Sequence, residues 1–425
     1  MNLLSLSWKN LTNKPLAMTL SLVLFALGVG LISLLLLLST QLQSTKDKNL
    51  AGISMVIGAK GSPLQLILNS MYQIDAPTGN ISIEKAKAFL NPRNPFVKLV
   101  VPISVGDSYN RYRIVGTDHR MLQLYQAEIS TGKLWKKVYE VTLGASVAND
   151  LNLKIGDKFY GTHGLLNDAA QAHDDAAAFE VVGILKPTGA VIDQLILTPT
   201  QSIWAIHEHS AVGNQAQAAE METPDSSEAH HPDLGDVNTP LLNFPEEDIT
   251  AILVQGKAIG SIPRLQDIAQ QFDLMAASPG VEVNRLFDTI SVGEQALKGL
   301  IAVIIFVSGL SVFISLYSSL QDRRYELALM RVMGASPRRL FVLIVLEGLL
   351  LAVIGYVIGI LLSHFSMEIL ASYMKASYRY SFTGFAFLPQ EVYLFFAALG
   401  IGFIAAVIPA IQAMQTDIST TLAEG

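Results

Sequence analysis

The sequence predicts an α-helical membrane protein: one transmembrane helix, a large mixed α/β domain, then three more helices. Long uncharged apolar runs lie near both ends of the 425-residue chain and nowhere between them. Only 15% of residues are Asp, Glu, Lys or Arg, against about 25% in soluble domains, and 51% are apolar. The stretch between the runs has ordinary soluble composition. This layout excludes a single globular enzyme and a disordered chain, and the net charge of −7 excludes a nucleic-acid binder.

The first span is Leu16–Leu38, inside a charge-free stretch between Lys14 and Lys46. At about 1.5 Å per residue it covers a hydrocarbon core of about 30 Å. It is too long for a signal-peptide core and lacks a small-x-small cleavage site, so it reads as an uncleaved anchor. The second span is Gly299–Leu320, the third is Leu340–Ser363 and the fourth is Val392–Met414. The loop Gln321–Arg339 carries Arg323, Arg324, Arg331, Arg338 and Arg339, whereas the next loop has only Lys375 and Arg379. The bias of Lys and Arg toward the cytoplasm places 321–339 and both termini inside. The expected order is a cytoplasmic segment 1–15, span 16–38, external domain 39–298 and span 299–320. A cytoplasmic loop 321–339, span 340–363, external loop 364–391, span 392–414 and cytoplasmic tail 415–425 follow.

Residues 40–296 hold 19 basic and 29 acidic side chains, so the block reads as a separate acidic body. Alternating apolar runs predict strands at Lys98–Val105, Tyr112–Gly116, Phe179–Leu185, Asp193–Leu197 and Thr250–Gln255. Helices are expected at Ile83–Leu90, Ser146–Leu151 and Ile262–Phe272, and Leu286–Lys298 reads as a helix continuing into the second span. Gly58–Ser62 is glycine-rich but follows no phosphate-loop pattern and reads as a turn. An insert at about 201–248 is acidic, and its part Ser210–Asp236 reads as a mobile loop without periodicity. Six histidines, His163, His173, His207, His209, His230 and His231, lie among acids in and before it. Imidazole with carboxylate suits zinc, nickel or copper, but the spacing matches no closed site, and a solvated acidic insert is the better reading of the pattern. The absence of cysteine excludes disulfides and thiolate ligands.

The loop QDRRYELALMRVMGASPRRL, Gln321–Leu340, is more than a charged connection. Leu327, Leu329, Met330 and Met333 read as the apolar face of a short docking helix closed by a Gly-Ala-Ser-Pro turn. Glu347 is the only carboxylate inside a span, with no second buried acid expected, and reads as structural rather than as a proton relay. Gly355 and Gly359 form a GxxxG that favours close helix packing, with a contact between permease copies as one use.

On these residues the chain resembles the MacB/FtsX-type ABC transporter permeases. Arg323, Glu326, Leu329, Arg331, Gly334 and Ala335 fit that family's loop pattern. Thr142–Phe159, Phe179–Pro199, Glu347–Leu350, and the exit with Pro409, Ala410, Ala413, Asp417 and Leu422 fit other segments in order. The resemblance implies a permease subunit with no bound cofactor of its own. Its ATP and magnesium would be held by a separate dimeric ATPase in the cytoplasm. It also implies a second permease (identical or paralogous), a bacterial inner-membrane location and mechanical transmission to a periplasmic domain. An adaptor protein or lipoprotein would be the periplasmic partner. Arg323, Arg324, Glu326 and Arg331 would make polar contacts to the ATPase, and Gly334 and Ala335 would form the turn. No G-x-x-x-x-G-K-[ST] loop occurs in the sequence, in line with hydrolysis elsewhere. A zinc-linked permease using the histidine insert and a membrane sensor remain as alternative readings.

Overall fold

The computed structural model describes residues 3–12, 15–74, 76–162, 178–206, 237, 239–258, 260–378 and 382–415. The six histidines and the acidic loop Ser210–Asp236 lie outside these residues. The chain divides into two units. One comprises Met1–Gln43 with Thr289–Gly425, the other Ser44–Asp288.

The first unit is helical: α1 (Leu3–Thr12) and α2 (Pro15–Leu50) come from the N-terminal part. Its later helices are reached after Asp288, and both unit boundaries fall inside long helices, one in α2. Among the described residues four helices are long and apolar enough to cross a membrane, and they coincide with the four uncharged runs. The helices overrun those runs, since backbone hydrogen bonding continues once a helix is nucleated and polar side chains do not stop it.

The second unit is built on a ten-stranded sheet. Its members are β1 (Met55–Gly58), β3 (Val97–Tyr109), β4 (Tyr112–Thr117), β5 (Ile129–Gly132) and β6 (Glu140–Leu143). The others are β7 (Lys158–Phe159), β8 (Phe179–Leu185), β9 (Ile196–Pro199), β11 (Ala251–Gly256) and β12 (Met275–Ala277), while β2 (Ile81–Ser82) and β10 (Asp248–Ile249) pair separately. The order is β12-β1-β11-β3-β4-β9-β6-β8-β5, with β7 on β8. The β4–β9 and β6–β8 pairs are parallel. Helices α3 (Pro63–Ser70), α4 (Ile83–Leu90), α5 (Arg120–Tyr125), α6 (Ala145–Leu151) and α7 (Ser261–Gln271) complete the unit.

The sheet is apolar on both faces, which is why its strands read as near-continuous hydrophobic runs. Along β1, Met55 and Ile57 join one core and Val56 the other. Along β11, Ile252 and Val254 likewise oppose Ala251 and Leu253. The β3–β4 hairpin closes through Asn110 and Arg111, both at positive φ (47° and 69°), the geometry of a tight two-residue turn.

One expected strand changes. Asp193 does not open a strand but sits in a 3₁₀ turn at Val191–Gln194, and pairing begins at Ile196. The cause is its carboxylate, which accepts the backbone N–H groups of Thr188 at 2.9 Å and Gly189 at 2.7 Å, and so folds the segment back.

Candidate functional site

The helical unit continues with α8 (Pro279–Asp322), α9 (Arg324–Val332), α10 (Pro337–Tyr378) and α11 (Pro389–Met414). Helix α9 is the short element inside the arginine-rich loop. It ends because Gly334 adopts φ +94°, with Gly334 N–H donating to Arg331 O at 3.0 Å and Ala335 N–H to Met330 O at 2.9 Å. This paired closure satisfies the last carbonyls of the helix and turns the chain toward α10. A side chain at Gly334 would meet no neighbour, so backbone conformation alone demands glycine there.

Leu327, Leu329, Met330 and Met333, expected to form one apolar docking face, do not share a face. Leu327 is buried at 4% exposure beside the fully buried Ala328, whereas Leu329 and Met333 are 44% and 73% exposed. Residues two apart in a helix lie about 200° apart, so Leu327 and Leu329 point to opposite sides. Leu327 and the half-buried Met330 pack against Leu320, Leu340, Leu343, Ile344, Ala410 and Ala413. The outer face presents Tyr325, Leu329, Val332 and Met333, flanked by the exposed Arg324 and Glu326.

The arginines of the loop separate in the same way. Arg323, the residue between α8 and α9, turns inward and meets Glu347 of α10, Nη2 to Oε2 at 3.1 Å. Arg331 reaches the end of α11, donating from Nη1 to Met414 O at 3.5 Å. Arg338 and Arg339 are exposed in the first turn of α10, where the positive end of the helix dipole disfavours them. Their placement suits an anionic partner or lipid headgroups rather than helix stability.

The glycines of α10 are filled by the chain itself. A Cβ on Gly359 would lie 2.7 Å from Ala26 O, and one on Gly355 would lie 2.6 Å from Phe25 Cδ1. Gly355 and Gly359 therefore seat α2, and that stripe is not free for a second copy. A second close crossing joins α10 to α11, where a Cβ on Gly348 would lie 2.8 Å from Gly402 O.

A second buried acid is present, contrary to the sequence expectation. Glu391, in the first turn of α11, is 4% exposed. Its Oε1 accepts the Ser33 hydroxyl at 3.1 Å and faces His364 Nε2 at 3.0 Å, and Ser363 donates to Ser33 at 2.8 Å. Leu388 N–H donates to its Oε2 at 3.4 Å, so the same carboxylate caps the helix start. Glu391 lies one residue outside the apolar run and reads in sequence as a solvated flank. The polar residues Ser33 and Ser363 inside otherwise apolar runs, with His364 directly after the second, were the available signal.

Among the described residues no group of three or more His, Asp or Glu is placed to hold a metal. His119, for example, is used structurally, with Nε2 at 3.1 Å from Trp135 O.

Comparison with known families agrees with this arrangement. The model of the MacB-like periplasmic core domain matches residues 18–231, half of the chain. That of the FtsX-like permease C-terminal region matches residues 299–418, which contain α9, α10, α11 and the Arg323–Glu347 pair. No curated protein matches the chain. With four apolar helices, a mixed α/β domain between the first two, and both models matched in order, the chain belongs to the MacB/FtsX-type ABC transporter permease family.

Proposed function

We propose that the chain is the membrane subunit through which a separate cytoplasmic ATPase drives movement of the domain Ser44–Asp288, and that the ATPase docks on the outer face of α9. The observation carrying this is the division of α9. One face is locked into the helical unit by Leu327 and Ala328. The other presents an exposed apolar patch of Tyr325, Leu329, Val332 and Met333, flanked by Arg324 and Glu326, which water alone does not favour. The family's partnership with an ATPase component supplies the occupant. In this reading residues 321–339 face the cytoplasm, the domain Ser44–Asp288 is periplasmic, and α2 and α8, which contain the unit boundaries, carry the motion.

The test is affinity purification of the tagged full-length chain from native membranes, compared with a Leu329→Asp/Met333→Asp variant. An ABC ATPase recovered with the wild type and lost with the variant, at equal expression, supports the assignment. Equal recovery of the ATPase with wild type and variant places the docking surface elsewhere.

A further inference from the structure

Arg323, Glu347 and Asn10 bring three separate parts of the helical unit to one carboxylate. Arg323 is the pivot between α8 and α9, with φ −107° and ψ 18°, outside helical geometry. Its neighbour Arg324 is exposed, yet the Arg323 side chain is only 11% exposed and that of Glu347 only 1%. Nε–H and Nη2–H of Arg323 donate to Ser319 O at 3.3 Å and Ser319 Oγ at 2.6 Å, which fixes the guanidinium along the end of α8. Glu347 accepts from Arg323 at Oε2 and from the Asn10 amide at Oε1, the latter at 2.8 Å. Ser7 of α1 donates to Leu343 O of α10 at 3.5 Å, and Leu6 packs with the surrounding apolar cluster.

A buried ion pair gains little net stability over well-packed apolar groups of the same volume. Its distinctive property is geometric, because a charged hydrogen bond weakens steeply when distance or angle changes. Placed at the pivot, such a pair ties the start of α9 to α10, while the Gly334 turn ties its end. Helix α9 then cannot tilt without carrying α10 or breaking the pair, and the Asn10 amide makes α1 follow.

We propose that Asn10, Arg323 and Glu347 are positioning residues that convert load on the outer face of α9 into joint movement of α1 and α10. This rests on the docking reading above. It assigns to these residues the transmission step and not the binding of the ATPase, since their polar atoms are turned inward.

The experiment uses the full chain purified with its ATPase and compares wild type with Glu347→Gln, Asn10→Leu and Arg323→Lys. Three readings are taken: recovery of the ATPase, the ratio of ATP turnover in the complex to that of the ATPase alone, and a spin-label distance. The labels sit on Phe306→Cys of α8 and Leu362→Cys of α10, which report movement of α10 relative to α8, both exposed positions in a chain without other cysteines. The distance is measured with and without a non-hydrolysable ATP analogue. Glu347→Gln is expected to keep ATPase recovery, to lower the permease-dependent change in turnover by about fivefold or more, and to abolish the nucleotide-dependent distance change. Arg323→Lys, which keeps the charge but not the fork, is expected to fall between. Should Glu347→Gln not be recovered folded, Asn10→Leu carries the same expectation alone. Intact complexes whose turnover ratio and distance change match wild type would overturn the positioning role and leave docking standing. Failure of the wild type to retain any ATPase would overturn docking and, with it, the transmission role.

Discussion

Glu347 and Glu391 are both carboxylates that the helical unit holds away from solvent, and they are satisfied differently. Glu347 faces a guanidinium and an amide; Glu391 faces an imidazole, a hydroxyl and a backbone N–H. Removing one partner of a buried pair strands the other charge, so Glu347→Ala is expected to cost about 3–5 kcal/mol in unfolding of the helical unit. Denaturant titration in detergent, with Glu347→Leu/Arg323→Met as the paired replacement, checks this. The double variant is expected to recover most of the loss. In the other unit, the Tyr125 hydroxyl is buried without a hydrogen-bond partner among the described residues. Burial pushes its phenol above the ordinary range, with the neighbouring Tyr72 adding to the shift. A raised folded-state value means that the unfolded chain ionises first. Stability is therefore full below about pH 10 and falls as pH rises beyond it. Tyr125→Phe is expected to flatten that alkaline loss in a pH series of thermal unfolding. At pH 7 it should be neutral or stabilising by up to about 1 kcal/mol. Glu347 was legible in the sequence because it interrupts an uncharged run. Its partners were not: Arg323 is one of five loop arginines, and only tertiary packing distinguishes it from Arg324.

At the level of elements, the strands were largely readable because burial on both faces of the sheet makes them short apolar runs, and the long helices because each carries an uncharged run long enough to cross a membrane. The exceptions have local causes. The Asp193 carboxylate gathers loop N–H groups and delays β9, and the apolar residues of α9 divide between two faces because Leu327 and Leu329 are two apart. Composition identified α9 as amphipathic; only the packed structure shows which apolar residues are spent on the inside. The turn after α9 yields a sharp expectation. Gly334→Ala meets no steric obstacle but forces a side chain into the left-handed region, at a cost of about 1–2 kcal/mol. Thermal unfolding should register that loss, and ATPase recovery should fall with it if the turn aims the docking face. In α10, Gly359→Leu is expected to separate α2 from α10, since a Cβ there would already lie 2.7 Å from Ala26 O. Lower yield of folded chain from membranes is the readout.

For the whole molecule, the proposed orientation across the bilayer rests on the charge distribution along the chain. Residues 40–296 are strongly acidic, whereas Gln321–Arg339 concentrates five arginines. Because the chain has no cysteine, single substitutions report sidedness cleanly. Lys154→Cys is expected to react with a membrane-impermeant maleimide in intact spheroplasts, and Met333→Cys only after the membrane is opened. The reverse pattern would invert the topology and remove α9 from the reach of any cytoplasmic ATPase.

The most direct test of the account is site-specific photocrosslinking from the outer face of α9 in native membranes. A photoreactive residue replacing Met333 or Val332 should form an adduct with an ABC ATPase, while one replacing the exposed Phe306 in the apolar stretch of α8 should not. Adducts confined to lipid at all three positions, or a partner without an ATP-binding domain at Met333, would contradict docking on α9 and the transmission built upon it.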